Sequence, residues 1–122
     1  MKPTAASWSL ALAAAVVLAV GAASAYGHAG VARLVPGSGS TSTKAVKVVG
    51  VRFEDRIVTG TLTVAASSGR TVSVRETGLV SRGTYLRSVL RAALAGGSYR
   101  ATWRARFEDG HSRSGSWTFR VR

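Results

Sequence analysis

The chain has 122 residues, which corresponds to one domain, and it carries a formal net charge of +12 at pH 7. It contains no cysteine and only one methionine, Met1, so disulfides, thiolate metal sites and a thioether site for Cu(I) are excluded. The positive charge favours either an anionic partner or a solvated basic surface.

The N-terminal segment has the pattern of an export signal. Lys2 precedes an apolar run from about Trp8 to Val20, and small residues follow it. Because a membrane span needs about 20 apolar residues, the run predicts a removable signal and a mature protein that does not span the membrane. Cleavage after Gly27 would leave a domain of residues 28–122, whereas cleavage after Ala25 would leave two residues in front of it. Either cut predicts a periplasmic or otherwise extracytoplasmic protein.

Residues 30–44 are polar and rich in turn-forming residues, and short runs with two-residue periodicity follow them. The apolar phase changes near Gly50, which predicts a β-bulge there. In the next run we expect the apolar side chains to face inward; these are Val58, Leu62 and Val64.

The last two runs alternate most strictly. Apolar residues occupy every odd position of Tyr99–Phe107 and of Ser116–Arg122, with mostly basic or hydroxyl residues between them. This places Trp103 and Trp117 on the inner face, and it predicts a loop over Glu108–Gly115. The whole pattern indicates an all-β fold, a small antiparallel Greek-key β-sandwich of six or seven strands, immunoglobulin-like or cupredoxin-like.

The chain has only two histidines, and both are candidate metal ligands. If the signal ends at Gly27, the amino group and the imidazole of His28 can chelate one ion. Asp109 and His111 are two residues apart and can face one point if the chain bends at Gly110. A nitrogen and oxygen ligand set without sulfur suits Cu(II), with Zn(II) as the less favoured ion. From the residues alone, His111 could equally be an exposed loop histidine that binds no metal.

The closing part of the chain also carries a series of motifs. The series comprises Leu94, Gly96-Gly97, Tyr99, Trp103-Arg104, Asp109-Gly110-His111 and Ser114-Gly115, and the expected mature start is His28-Ala29. This series resembles the CopC family, small exported copper-binding proteins of bacterial copper resistance.

The resemblance implies a β-sandwich that binds one Cu(II) through His28, Asp109 and His111, an arrangement called a histidine brace. It implies an acidic residue close to the metal, for which Glu54 and Asp55 remain alternatives, and we place Trp103 in the same surroundings.

The function expected from the resemblance is copper homeostasis or resistance by a monomeric protein that is not an enzyme. A copper-transporting membrane protein is the candidate partner. The alternative is an exported domain that binds an anionic cell-surface polymer or a partner protein through a basic face of Arg100, Arg104, Arg106, Arg120 and Arg122. Nucleic acid is not expected as a partner, because the aromatic residues alternate with arginines and should point inward.

Overall fold

Two four-stranded sheets pack face to face in the computed structural model, which describes residues 30–122. The predicted signal at residues 1–27 and the predicted ligand His28 lie outside the described residues. The strands are β1 (Val31–Val35), β2 (Thr41–Ser42), β3 (Val48–Phe53), β4 (Ile57–Ala66), β5 (Val74–Val80), β6 (Tyr85–Leu90), β7 (Gly97–Phe107) and β8 (Ser112–Val121).

One sheet has the order β1-β3-β6-β5 and the other has the order β2-β8-β7-β4. All pairs are antiparallel except β2 with β8. The predicted all-β sandwich is confirmed, with eight strands instead of six or seven. The additional strands β1 and β2 lie in the polar segment that was expected to consist of turns. Residues 30–122 contain no helix that is long and apolar enough to cross a membrane.

The inner faces of β7 and β8 form the centre of the core, as the alternation predicts. Trp103 is fully buried and Trp117 is nearly so, and the indole Nε1–H of Trp117 donates to the Pro36 carbonyl at 2.8 Å. Phe53 of the opposite sheet packs edge-on against Trp103, with ring centroids 4.9 Å apart, and against Phe107 at 5.3 Å. These three rings join the two sheets near one end of the sandwich.

Two predictions about the early strands are wrong. Val58 is exposed and Ile57 is buried in its place, because the pairing of β4 with β7 shifts register between Ile57 and Thr59. No bulge occurs at Gly50, which pairs regularly with β1 and β6. The apolar phase changes because β3 begins only at Val48. Val46 is buried from the preceding loop and does not follow the alternation of the strand. A Cβ atom at Gly50 would collide with the ring of Tyr85, which explains the glycine.

Candidate metal centre

The turn between β7 and β8 holds Asp109 and His111 and is shorter than predicted. The Gly110 N–H donates to the Phe107 carbonyl at 3.0 Å, and the Phe107 N–H donates to the His111 carbonyl at 2.9 Å. Gly110 has a φ of +88°, which a residue with a Cβ adopts only with strain. This combination is the three-residue hairpin loop in which a left-handed residue follows a type I turn.

The predicted loop Glu108–Gly115 was wrong at its C-terminal end, because β8 begins at Ser112. The inward positions at the start of β8 are Arg113 and Gly115, so no apolar alternation marks this part of the strand. Arg113 covers the Phe107 ring, with 5.1 Å between its guanidinium carbon and the ring centroid. Gly115 lies directly against the indole of Trp103.

Asp109 and His111 contact each other twice across this turn. The backbone N–H of His111 donates to Asp109 Oδ1 at 2.9 Å, and His111 Nδ1 lies 3.0 Å from Asp109 Oδ2. The hydrogen bond from the His111 backbone, followed by the contact with the imidazole and by nearby positive charge, lowers the pKa of Asp109. The carboxylate therefore stays ionised well into the acidic range, and both side chains are more than half exposed and open to an ion from solvent.

The distance between the two side chains fits shared coordination of a metal ion. Imidazole nitrogen and carboxylate oxygen bind zinc at about 2.0–2.2 Å, so two such ligands at right angles lie roughly 3 Å apart. A metal ion could thus contact both Nδ1 and Oδ2 at about their present separation. Within residues 30–122, no three His, Cys, Asp or Glu side chains come together to hold a metal. Among the described residues the candidate site therefore consists of two ligands, Asp109 and His111.

The described chain begins beside this turn. The carbonyl of Gly30 accepts a hydrogen bond from the Glu54 N–H at 2.8 Å, and Val31 pairs with Phe53 at the end of β3. A Cβ atom built on Gly30 would lie 3.9 Å from Arg113 Nη1. Gly30, the first described residue, therefore lies at the end of the sandwich that carries Asp109.

Four of the five carboxylates of the chain meet at this end. Glu54 and Asp55 in the β3–β4 turn line one open concavity of about 540 Å³ together with Glu108 and Asp109. The Glu108 N–H donates to the Arg56 carbonyl at 3.2 Å, which ties the two turns together. Both acidic alternatives from the sequence thus lie in the same concavity as Asp109, and the structure favours neither.

Glu108 and Arg113 were not predicted as site residues from the sequence. A short repeat that occurs at both turns was also not identified. The tetrapeptide Arg-Phe-Glu-Asp occurs twice, at 52–55 and at 106–109. Each copy ends a strand and begins a turn, and the two phenylalanine rings contact each other edge to face at 5.3 Å. In the structure, both acidic pairs therefore follow directly from one aromatic contact.

Trp103 lies farther from Asp109 and His111 than the acidic concavity does. It pairs with Gly115, three register positions from the last hairpin pair of Arg106 with Ser112, which corresponds to about 10 Å along the strand. Its Nε1 is buried and has no hydrogen-bond partner among residues 30–122. Its contact with Phe53 links it to the acidic end through packing.

Comparison with known proteins agrees with this architecture. A family model described as the CopC domain matches residues 31–122. PcoC, a methionine-rich copper resistance protein from Escherichia coli, superposes with a TM-score of 0.69 at 21% identity, covering 75% of this chain and 96% of that protein. CopC from Methylosinus trichosporium OB3b gives a TM-score of 0.65 at 23% identity, covering 75% and 90%. No curated protein matches the chain. The family match spans all eight strands, and the chain therefore belongs to the CopC domain family.

Proposed function

We propose that this protein is exported and binds one Cu(II) per chain, to buffer or deliver copper without catalysing a reaction. The proposed ligands are the amino and imidazole nitrogens of His28, the Asp109 carboxylate and the His111 imidazole. The observation that carries the proposal is the Asp109–His111 pair, with 3.0 Å between Nδ1 and Oδ2. The pair lies at the end of the sandwich where Gly30, two residues after His28, is held.

The covalent geometry of the chain is compatible with this ligand set. His28 precedes Gly30 by two residues, so their Cα atoms are at most about 7 Å apart. Gly30 itself is held at the acidic end by its hydrogen bond to Glu54. The four carboxylates of this end outnumber Arg56 and Arg113, which line the same concavity, and the remaining negative potential favours a divalent cation. These features support a site completed by the mature N-terminus.

The chemistry of the ligands favours copper over zinc. A mixed nitrogen and oxygen set without sulfur suits the tetragonal geometry of Cu(II), whereas Zn(II) prefers a tetrahedral arrangement. PcoC is described as methionine-rich, whereas this chain has only Met1. We therefore propose a single Cu(II) site and no separate thioether site for Cu(I). Membership of the CopC domain family supports copper as the cargo.

We further propose that residues 1–27 are a cleaved signal and that the mature monomer acts outside the cytoplasm. A copper-transporting membrane protein is the partner that would give or receive the ion. Mass measurement of the secreted protein tests the cleavage site, since a brace requires His28 as the first residue.

The decisive experiment compares Cu(II) affinity in a protein that begins at His28 and in one with a single glycine placed before it. The added residue converts the amino nitrogen into an amide and removes the chelate, while residues 28–122 stay unchanged. We expect affinity to fall at least about 100-fold, more than the loss of an outer-shell partner costs. His111→Ala should cause a comparable loss, and the remote Glu76→Gln should cause none.

The stoichiometry and spectrum complete this test. One equivalent should bind, with a type 2 electron paramagnetic resonance signal from nitrogen and oxygen ligands. Equal affinity in the extended and unextended proteins would show that the brace is wrong. Two tight equivalents would contradict the single site.

A further inference from the structure

The outer face of the second sheet carries a feature that copper binding does not use. Strand β7 lies between β4 and β8, and its outward positions include Arg100, Arg104 and Arg106. All three are exposed and stand in one file, because they alternate with buried residues on a single strand. Arg104 and Arg106 are about 7 Å apart along β7, and Arg100 is about 14 Å from Arg104.

Hydroxyl groups flank Arg104 and Arg106 on both sides, whereas Arg100 lies between Ala65 and Thr118. The register places Arg106 between Thr59 and Ser112, and it places Arg104 between Thr61 and Ser114. These residues line an open concavity of about 640 Å³ on the sheet surface. The result is a row of guanidinium groups between two rows of hydrogen-bonding hydroxyls.

The face is free of negative charge. Strands β4, β7 and β8 contain no aspartate or glutamate, and Arg120 of β8, paired with Ser98, extends the basic character. The ion pairs found among residues 30–122 are those of Arg56 with Glu108 and of His111 with Asp109, so the arginines of the file carry unneutralised charge. Among the described residues, a hydrogen bond of 3.3 Å from the Arg100 guanidinium to the Ser116 hydroxyl restrains one member of the file.

We propose that this arginine file binds a linear phosphodiester polymer of polyol repeats, with guanidinium groups on the phosphates and hydroxyls on the repeats. Arginine forms bidentate hydrogen bonds to phosphate, and serine and threonine can donate to or accept from polyol hydroxyls. A single file matches an extended chain better than a lipid surface, which would be met by charges spread over a plane and by inserted apolar side chains.

Nucleic acid is a poorer match for the same file. Single-stranded nucleic acids bind sheet faces through aromatic side chains on which the bases stack. The aromatic residues of β7 and β8 all lie on the buried side, as the burial of Tyr99, Trp103, Phe107, Trp117 and Phe119 shows. The file therefore offers phosphate contacts without a stacking platform.

The experiment measures binding of poly(glycerol phosphate), the probe, to the mature chain by titration calorimetry. Arg104→Gln combined with Arg106→Gln removes two charges from the file, and the matched control, Arg75→Gln with Arg91→Gln, removes two exposed charges elsewhere. The first pair should lose at least about tenfold in affinity, since two charge-assisted arginine–phosphate contacts are removed. The control should change by less than about twofold. Equal losses in both variants would show general charge attraction and overturn the proposal.

Salt dependence and competing anions sharpen the test. Four arginine–phosphate contacts, three from the file and one from Arg120, predict a slope of log affinity against log salt of about −3, by analogy with single-stranded nucleic acids, and the file variant should roughly halve it. Vesicles containing phosphatidylglycerol and a base-bearing single-stranded oligonucleotide of equal charge should bind more weakly. Tighter binding of either would assign the face to that partner instead. His111→Ala should retain polymer binding, which separates this proposal from the copper site.

Discussion

Replacing Gly115 by alanine tests whether the packing behind the acidic end is as tight as the structure indicates. A Cβ atom at this position would lie 2.8 Å from Trp103 Nε1, 2.9 Å from Cε2 and 3.0 Å from Cζ2. Trp103 is fully buried, and its ring is held edge-on by Phe53 at 4.9 Å. The indole cannot withdraw without displacing the contact that joins the two sheets.

Two opposing effects set the size of the change. Adding a methyl group to a closely packed core costs about 1–3 kcal/mol, whereas replacing glycine by alanine restricts the unfolded chain and returns about 0.4–1 kcal/mol. The packing term wins, so we expect a net loss of about 1–2 kcal/mol. For a domain of this size each kcal/mol lowers Tm by roughly 4–8 °C, which predicts a fall of about 4–16 °C.

Thermal unfolding followed by near-ultraviolet circular dichroism measures this loss and reports on the tryptophan environment at the same time. Gly78→Ala on β5 is the matched control, because a Cβ atom there meets nothing within 4 Å. Its Tm should stay the same or rise. If Gly115→Ala melts within about 2 °C of the wild type, the indole is free to move and the packing argument fails.

Three further predictions concern the turn and the ion. Gly110→Ala should destabilise the hairpin by about 1–2 kcal/mol and weaken Cu(II) binding, whereas Gly110→Asn should cost less because asparagine tolerates a positive φ; melting curves and copper titration of both variants check this. Acid should weaken Cu(II) binding between about pH 7 and pH 5, where protons compete for imidazole and amino ligands. The pKa of Asp109 is lowered in the folded state, so its carboxylate should stay ionised and keep its contacts until the pH falls below 3.8, the ordinary pKa of an aspartate. Cu(II) affinity that stays flat down to about pH 5 would contradict His28 and His111 as ligands. Cu(II) should quench the fluorescence of Trp103 while Zn(II) should not, and equal responses to the two ions would contradict a paramagnetic ion at this end.

The strands differ in how well their inward and outward faces can be predicted from the sequence. The alternation of β7 identified the inner and outer faces correctly, because the inward residues from Tyr99 to Phe107 are all apolar and all buried. The first residues of β8 could not be identified in the same way. There, Arg113 and Gly115 occupy the inward positions, and each is determined by an aromatic neighbour on β7 rather than by its own hydrophobicity.

The candidate site was only half accessible to sequence reasoning. The spacing of Asp109 and His111 around a glycine predicted a bent turn, and the structure confirms that the two side chains meet. The approach of the β3–β4 turn was not predictable from local pattern, since Phe53 and Phe107 are 54 positions apart and belong to different sheets. Only tertiary packing brings their acidic neighbours together.

The distribution of charge explains how a chain of net charge +12 can attract a cation. At physiological ionic strength the Debye length is about 8 Å, so an ion at the surface senses the nearest charges far more than the total. The carboxylates are concentrated in the two turns at one end, whereas the exposed arginines of β7 run away from it along the strand. Arg106 lies next to the turn, but Arg104 and Arg100 lie progressively farther from it, so a cation and a polyanion can each find a favourable potential on the same small domain. The same reasoning requires that neutralising Arg100, more than 20 Å along β7 from the turn at about 3.4 Å per residue, leaves Cu(II) affinity unchanged at physiological salt.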